Sequence, residues 1–316
     1  MFNQNRERSV PVLLIIFNRP DTTKIVFEAI RKAKPTRLYI SGDGPRKGNE
    51  NDKVNCEKAR DIVRKVDWDC EVFYRFLDTN MGCGFGVSSG ISWAFETTEQ
   101  LIILEDDCVP SLPFFEFSNH CLKKYKDDTR IWTINGRSHH SNSIYFDKYD
   151  YLFSIYSHCG GWATWKRVWD GFNININNWA EFLSFGGFNN VFFSKREAKF
   201  YNNLFSKLFN DKQLINHSWA YPFNYYILSN AGLAITPSKN LIKNIGLLGV
   251  HSEGNSTFVH KLESSNDYTY CREPLFILPS REYDYFHFRK HILKVMGEPS
   301  FLKKVIYKVS RILGIR

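Results

Sequence analysis

Three consecutive carboxylates, Glu105, Asp106 and Asp107, directly follow the apolar run 101–104. If that run is a buried strand, the three charges repel one another at its carboxyl end and lose hydration there. A divalent cation would offset this cost, because Mg2+ and Mn2+ prefer oxygen ligands. The alternative is a strand that runs into a solvated acidic turn. The triplet therefore predicts either a metal site or an ordinary surface turn.

Two motifs upstream of the triplet carry groups that can bind a nucleotide. Asp43 lies between two glycines; it can accept a hydrogen bond from a uracil or ribose group, or it can form the turn itself. Asn80 and Gly82 open a segment with further glycines at positions 84 and 86. Backbone amides at such a turn can approach phosphates closely. Any tight turn between a strand and a helix uses the same glycines, so neither motif is decisive by itself.

An alternation of apolar runs and helical patterns predicts where these motifs lie. Buried strands are predicted at 12–17, 38–41, 71–76 and 101–104, and helices at 23–33, at 50–66 and from the glycine segment to residue 98. This order is typical of an α/β fold. Right-handed crossovers then bring the strand ends at 17–19, 41–44, 77–84 and 105–107 to one edge of the sheet. Ligands bind at that edge in open α/β sheets.

The chain resembles nucleotide-diphospho-sugar glycosyltransferases of the GT-A fold, of the bacterial surface-polysaccharide type related to N-acetylglucosaminyltransferase I. Six segments carry the resemblance in order: PVLLIIFNRP (11–20), SGDGPR (41–46), NMGCG (80–84), LEDDC (104–108), GGWATWKR (160–167) and NLIKNIG (240–246). The resemblance implies a Rossmann-like mixed sheet flanked by helices and followed by a loop-rich acceptor half. It also implies an activated sugar donor, most often linked to UDP, and Mn2+ or Mg2+ bound through the acidic triplet.

The resemblance further implies a role for individual residues. Asp107 matches the direct metal ligand, and Glu105 and Asp106 match residues that contact the ribose, the sugar or metal-bound water. The other matched positions are Asn18 and Arg19 facing the nucleotide, Asp43 reading the uracil, Asn80 and Gly82 in the phosphate loop, and Gly161 and Trp162 on the sugar or acceptor side. A buried structural Trp is the equal alternative for Trp162.

An inverting transferase also needs a base for the acceptor hydroxyl. Related sequences carry an Asp directly after a Ser-Trp pair, whereas here Ser218-Trp219 is followed by Ala220. Either another carboxylate serves, or the chain is catalytically impaired, or the alignment differs at this point. Glu253 is the first candidate, followed by Asp170 and Glu181. His251, close to Glu253, is either a further metal or diphosphate contact or a structural residue.

Composition bounds the remaining possibilities. The chain has 316 residues and a net charge of +9, and its seven cysteines are dispersed, so neither a disulfide framework nor a zinc site is indicated. We expect a nucleotide-sugar-binding half at 1–130, an acceptor-binding half at 131–280 with a helix at 195–209, and a basic helical tail at 281–316. No nucleic-acid motif is visible.

The C-terminal segment 300–313 has apolar residues at helical spacing and cations mostly off that stripe. It predicts a basic amphipathic helix on an anionic membrane surface, or a terminal helix docked on its own domain. No signal peptide or spanning helix is indicated. We therefore expect a cytoplasmic protein that is peripheral to the inner face of the membrane.

Together these features predict a metal-dependent, inverting glycosyltransferase of surface polysaccharide biosynthesis. It would move a monosaccharide from a nucleotide-sugar donor to a glycan or lipid-linked glycan acceptor. A sugar nucleotidyltransferase is one alternative, although the segment Asn18-Arg19-Pro20-Asp21 lacks the glycine-rich loop of such enzymes. A donor-binding partner protein without turnover is the other alternative, and Ala220 favours it.

Overall fold

The computed structural model describes residues 9–211, 218–246 and 262–296. Its strands are β1 (Val12–Ile16), β2 (Arg37–Gly42), β3 (Glu71–Phe76), β4 (Gln100–Glu105), β5 (Cys108–Pro110), β6 (Ile131–Asn135), β7 (Tyr151–Ser154), β8 (Trp162–Trp165), β9 (Leu233–Pro237) and β10 (Ile242–Asn244). Its α-helices are α1 (Pro20–Ala33), α2 (Glu50–Val63), α3 (Gly82–Ala94), α4 (Leu112–Lys124), α5 (Lys166–Trp169), α6 (Trp179–Ser184), α7 (Lys195–Asn210), α8 (Ala220–Ser229), α9 (Arg281–His287) and α10 (Leu293–Met296). A π-helical turn, Phe288–Ile292, joins the last two helices.

Eight strands form one mixed sheet in the order β3-β2-β1-β4-β8-β6-β9-β7. The first four strands in this order are parallel, with Val12 of β1 opposite Leu38 of β2 and Ile102 of β4. β8 runs antiparallel to both β4 and β6. The predicted α/β fold, a Rossmann-like mixed sheet flanked by helices, is confirmed. The loop-rich second half is also present, since most of its helices are short.

Strands β1 and β4 coincide with uninterrupted apolar runs because they lie in the middle of the sheet. Every residue of β1 is buried, which explains an uninterrupted apolar run rather than an alternating one. Helix α1 begins at Pro20, earlier than the predicted residue 23, because proline is well suited to the first turn. It ends before Lys34, which adopts a left-handed conformation with φ of 48°. The strand ends therefore meet at one edge, as predicted.

The second half contributes strands to the same sheet rather than a separate one. β8 inserts between β4 and β6, and its residues Trp162 to Trp165 are all buried. The predicted halves 1–130 and 131–280 thus share one sheet, and their division of labour stays a prediction. β10 pairs with β5 so that Asn244 lies opposite Cys108. This small ladder brings the segment around residue 244 to the acidic triplet.

The predicted basic amphipathic helix at 300–313 lies outside the described residues, so its membrane role stays a prediction. Across the described ranges, none of the helices is both long enough and apolar enough to cross a membrane.

Candidate functional site

The edge formed by the ends of β1 and β4 contains an ion-pair network. Arg19, the last residue before α1, donates from Nη1 to Oδ2 of Asp107 at 3.0 Å and from Nη2 to Asp106. The backbone amide of Phe17 also donates to Asp106, at 3.2 Å. Asp106 is only 2% exposed, so these donors compensate its lost hydration. The first and fourth strands are thereby joined through their terminal side chains.

The three carboxylates of the triplet lie in different environments. Burial, together with the charges of Asp107 and Asp106, raises the pKa of Glu105 to about 8. Burial raises the pKa of Asp106 to about 6, although the charge of Arg19 opposes that change. Burial would lower the pKa of Arg19, but the charges of Asp106 and Asp107 outweigh it and raise that pKa. Burial and its acidic neighbours thus favour the protonated form of Glu105, whereas the charge of Arg19 favours the ionised form of Asp106.

Asp107 has a second set of neighbours that the sequence did not single out as site residues. Asn244 donates from Nδ2 to Oδ1 of Asp107 at 3.3 Å, and the amide of Ile245 donates to the Asp107 carbonyl at 2.9 Å. A Cβ at Gly246 would lie 2.3 Å from Oδ2 of Asp107. Only glycine therefore leaves room for this carboxylate. The signal available in the sequence was the segment 240–246, which carried part of the family resemblance.

Asp43 organises the glycine segment at the start of α3. Its Oδ1 accepts from the amides of Gly44 and Met81 at 2.8 and 2.9 Å. Its Oδ2 accepts from Asn80 Nδ2 at 2.8 Å and from the Gly82 amide at 3.2 Å. Burial raises the pKa of Asp43, and these backbone hydrogen bonds oppose that change. All four acceptor positions of the carboxylate are used within the protein, so the arrangement favours the turn-forming alternative, and the uracil-reading role stays a prediction.

The hydrogen bonds from Met81 and Gly82 to Asp43 also limit what the proposed phosphate loop can bind. Gly82 has a φ of +78°, a conformation that glycine adopts easily. The amides of Met81 and Gly82 donate to Asp43, which leaves fewer free donors at this turn for a phosphate. The contact of Asn80 and Gly82 with the donor therefore stays a prediction.

Asn18 is fixed by a second ion pair beside the site. Its Nδ2 donates to Oδ1 of Asp52 at 2.6 Å, and Nη2 of Arg46 donates to the same oxygen at 2.8 Å. The hydrogen bond from Arg46, against the effect of burial, lowers the pKa of Asp52 to about 2. Asp52 is thus a charged anchor that holds Asn18 at the end of β1. Nothing in the local sequence pattern indicates this role, because Asp52 lies in the first turn of a surface helix.

Trp162 begins β8, and Gly161 directly precedes it. β8 pairs with β4 on the side away from β1. Gly161 has a φ of +77°, and a Cβ there would lie 2.7 Å from Ile242. Trp162 is fully buried and stacks on Trp219 with ring centroids 5.6 Å apart. This burial favours the structural alternative for Trp162. The Trp219 side chain donates to Glu105, so the aromatic pair is in contact with the triplet.

The candidate bases are dispersed. Asp170 follows α5, where its side chain is 57% exposed and pairs with Lys166 at 3.2 Å. It lines a cavity of about 400 Å³ beside Ser88, Trp169 and other residues. Glu181 lies exposed in the first turn of α6. Ala220 is the first residue of α8. Glu253 and His251 lie outside the described residues, and the identity of the base stays a prediction.

No family model and no curated protein sequence matches this chain. Among solved structures, it is similar to a UDP-glucose pyrophosphorylase complexed with UDP-glucose, with 12% identity and a TM-score of 0.26, over 46% of this chain and 62% of that one. It is also similar to mouse xyloside xylosyltransferase 1 in its apo form, with 15% identity and a TM-score of 0.26, over 42% of this chain and 54% of that one. The chain thus spans less than two thirds of either structure, and likenesses of this extent carry no argument about function.

Proposed function

We propose that this protein is a glycosyltransferase that uses a nucleoside-diphosphate sugar, with UDP as the nucleotide. The observation that carries the proposal is the joining of Arg19, Asp106 and Asp107 at the ends of two adjacent parallel strands. One guanidinium faces three carboxyl groups there, so the edge keeps an excess of negative charge. Such an edge binds an anionic diphosphate only together with additional positive charge.

A divalent cation fits this donor set. Mg2+, and Mn2+ with its similar oxygen preference, is usually bound by one or two carboxylates together with substrate phosphates. Within the described ranges, no three His, Cys, Asp or Glu side chains are arranged to hold a metal by themselves. Asp107, whose side chain is 17% exposed, is the residue that would hold the cation jointly with the diphosphate. When bound, the cation would neutralise charge on the leaving diphosphate.

The chain's own residues supply the remaining functions. Arg19 is placed to exchange a carboxylate partner for a diphosphate oxygen, since guanidinium groups bind both well. Asn18 is held beside it by Asp52. Asn244 fixes the orientation of Asp107. Transfer of the sugar to a glycan or lipid-linked glycan acceptor, with inversion, completes the proposed reaction, and residues 300–313 would hold the enzyme at an anionic membrane.

The donor site is tested by calorimetric titration of UDP, GDP and CDP, each with Mn2+ and with EDTA. We compare the wild type with Asp107→Asn and with Asp267→Asn, a matched control whose side chain is 97% exposed. The proposal predicts UDP binding that requires both Mn2+ and Asp107 and is unchanged in the control. A preference for GDP would still support a transferase but would change the proposed nucleotide from UDP to GDP. Absence of metal-dependent binding to any nucleotide would refute the proposal.

A second candidate function, donor binding without turnover, is favoured by Ala220 at the start of α8. Measuring hydrolysis of UDP-sugars by the wild type and by Ala220→Asp separates the two candidates. A wild type that binds the donor but hydrolyses it only after the substitution supports the binding protein. Turnover by the wild type supports the transferase.

A further inference from the structure

A cluster of histidines joins the last described segment to the body of the protein. His287 and His291 lie on residues 281–292, which comprise α9 and the π-helical turn and are called the latch below. Their rings contact rings from the body: the centroids are 3.6 Å apart for His139 and His291, 4.9 Å for His158 and His287, and 5.2 Å for His140 and His287. The latch therefore docks partly through imidazole rings, and contacts of Tyr283, Asp284 and Phe288 with the body complete its docking.

These rings are buried without the hydrogen bonds that usually accompany burial. His287 is fully buried, and His291 and His139 are 6% and 7% exposed. Both ring nitrogens of His287, and Nδ1 of His139 and of His291, have no hydrogen-bond partner among the described residues. A charged ring at such a position would be strongly unfavourable. Within the described ranges no three His, Cys, Asp or Glu side chains are arranged to hold a metal ion.

The surroundings keep every ring of the cluster neutral. Burial lowers the pKa of His140 to about 4, and burial together with the charges of Arg137, His140 and Lys294 lowers the pKa of His291 to about 3. Burial and neighbouring rings hold the pKa of His139, His158 and His287 well below the ordinary value. An imidazole exposed to water has an ordinary pKa of about 6.5. Each ring therefore takes up a proton in mild acid only if the latch opens.

Two buried acids beside the cluster oppose the proton uptake that accompanies opening of the latch, but they do not cancel it. Asp284 of the latch accepts from Ser154 and from the Ile155 amide, and burial raises its pKa to about 7. Glu197 accepts from Tyr156 at 2.7 Å, and burial raises its pKa. On exposure below about pH 7, Asp284 releases a proton, and Glu197, with its raised pKa, changes in the same direction, whereas all five imidazoles gain protons below about pH 6. Tyr156 and Tyr283, which also face the cluster, stay neutral throughout this range.

We infer that the latch is a pH-sensitive device, docked at neutral pH and released below about pH 6, because opening the imidazole cluster takes up protons. The released segment uncovers Tyr283 and Phe288, which are 1% and 0% exposed when docked. The opening equilibrium changes about tenfold per pH unit for each net proton taken up.

Arg137 lies close to both the histidine cluster and the candidate donor site. His158 precedes the Gly160-Gly161 pair by two residues, and a Cβ at Gly160 would lie 2.9 Å from the Arg137 side chain. The charge of Arg137 acts on both His139 and Asp107. The latch itself does not depend on the proposed function, since its docking is defined by contacts alone.

Hydrogen–deuterium exchange of the full chain at pH 7.5 and pH 5.5, with EDTA present, tests the inference. After correction for intrinsic exchange rates, we expect amides of 281–292 to exchange at least tenfold faster at the lower pH. Amides of β1 and β4 should keep their protection. Equal latch exchange at both pH values would refute the inference, as would a parallel loss of protection in the sheet, which indicates global unfolding.

The variant His287→Gln/His291→Gln separates titration from simple loss of packing. A variant that only packs less well opens more at both pH values. The ratio of its latch exchange rates at pH 5.5 and pH 7.5 stays that of the wild type. Removal of two titrating groups should instead reduce that ratio at least tenfold. His120→Gln is the matched control, because His120 pairs with Glu273 at 2.6 Å away from the cluster. An unchanged ratio in the double variant would refute the inference.

Discussion

The guanidinium of Arg19 and the carboxylate of Asp107 are 3.0 Å apart, although 88 positions separate them in the chain. Arg19 lies at the carboxyl end of β1 and Asp107 lies just beyond the end of β4, and the two strands are adjacent and parallel. The contact therefore lies at the edge of the sheet where a donor would bind. The predictions below test how this edge is built and what it binds.

Breaking the buried pair between Arg19 and Asp106 should destabilise the protein. Arg19→Gln leaves Asp106, which is 2% exposed, without its countercharge. Loss of one partner of a buried pair typically costs about 3–5 kcal/mol, and we expect a value near the lower end because the Arg19 side chain is 31% exposed. Urea unfolding measures the cost. The double variant Arg19→Gln/Asp106→Asn should recover most of the lost free energy of unfolding. If the losses of the two single variants simply add in the double variant, the ion-pair account is contradicted.

Substitution at Gly246 should impair binding rather than folding. Gly246→Ala places a Cβ 2.3 Å from Oδ2 of Asp107, so the carboxylate must move. We expect metal-dependent UDP affinity to fall at least tenfold, with the midpoint of thermal unfolding little changed. Gly48→Ala is the control, since nothing lies within 4 Å of a Cβ at Gly48, although its positive φ of 75° makes that backbone the more strained of the two for alanine. Equal effects of the two variants would contradict the steric account.

The acidic triplet should make stability fall as the pH rises from about 4 to about 8. The pKa of Glu105 is raised to about 8 and that of Asp106 to about 6, so the folded chain binds more protons than the unfolded chain between about pH 4 and pH 8. The stabilising contribution of each proton is thus present at low pH and lost as the pH rises through the folded value. One such group changes the free energy of unfolding by at most about 1.4 kcal/mol per pH unit.

Thermal unfolding between pH 6 and pH 8.5 measures this dependence. Glu105→Gln should flatten it, and saturating Mn2+ should reverse it if the cation binds the ionised triplet. This range lies above the acid range in which the histidine latch opens, so the two effects are separable. A variant with the full wild-type slope would show that Glu105 is not the group responsible.

Replacement of Asp43 should loosen the glycine segment. Asp43→Asn introduces an amide among donors from Gly44, Met81, Gly82 and Asn80, so at least one donor loses its acceptor. A buried polar group without its partner costs about 1–3 kcal/mol. Hydrogen exchange of residues 80–86 should increase. Asp78→Asn, a nearby exposed position, should leave exchange of this segment unchanged, and an unchanged segment in Asp43→Asn would contradict the organising role.

Much of the α/β half could be predicted because its signals are local. The strand predicted at 71–76 coincides with β3, and the helix predicted at 195–209 lies within one residue of α7. Each depends on the periodicity of a few neighbouring residues. The right-handed crossover rule then sufficed to place Arg19 and the acidic triplet at one edge of the sheet.

The sequence by itself determined the four parallel strands, the helices between them and the position of the triplet after a buried strand, since these follow from neighbouring side chains. Only the tertiary structure decided which partners the site residues have. Asn244 reaches Asp107 from 137 positions away. Asp43 accepts three of its four hydrogen bonds from a loop 37–39 positions away, and the histidine cluster gathers rings from three distant segments. Such contacts arise from the packing of whole elements against one another, which leaves no periodic trace in the chain.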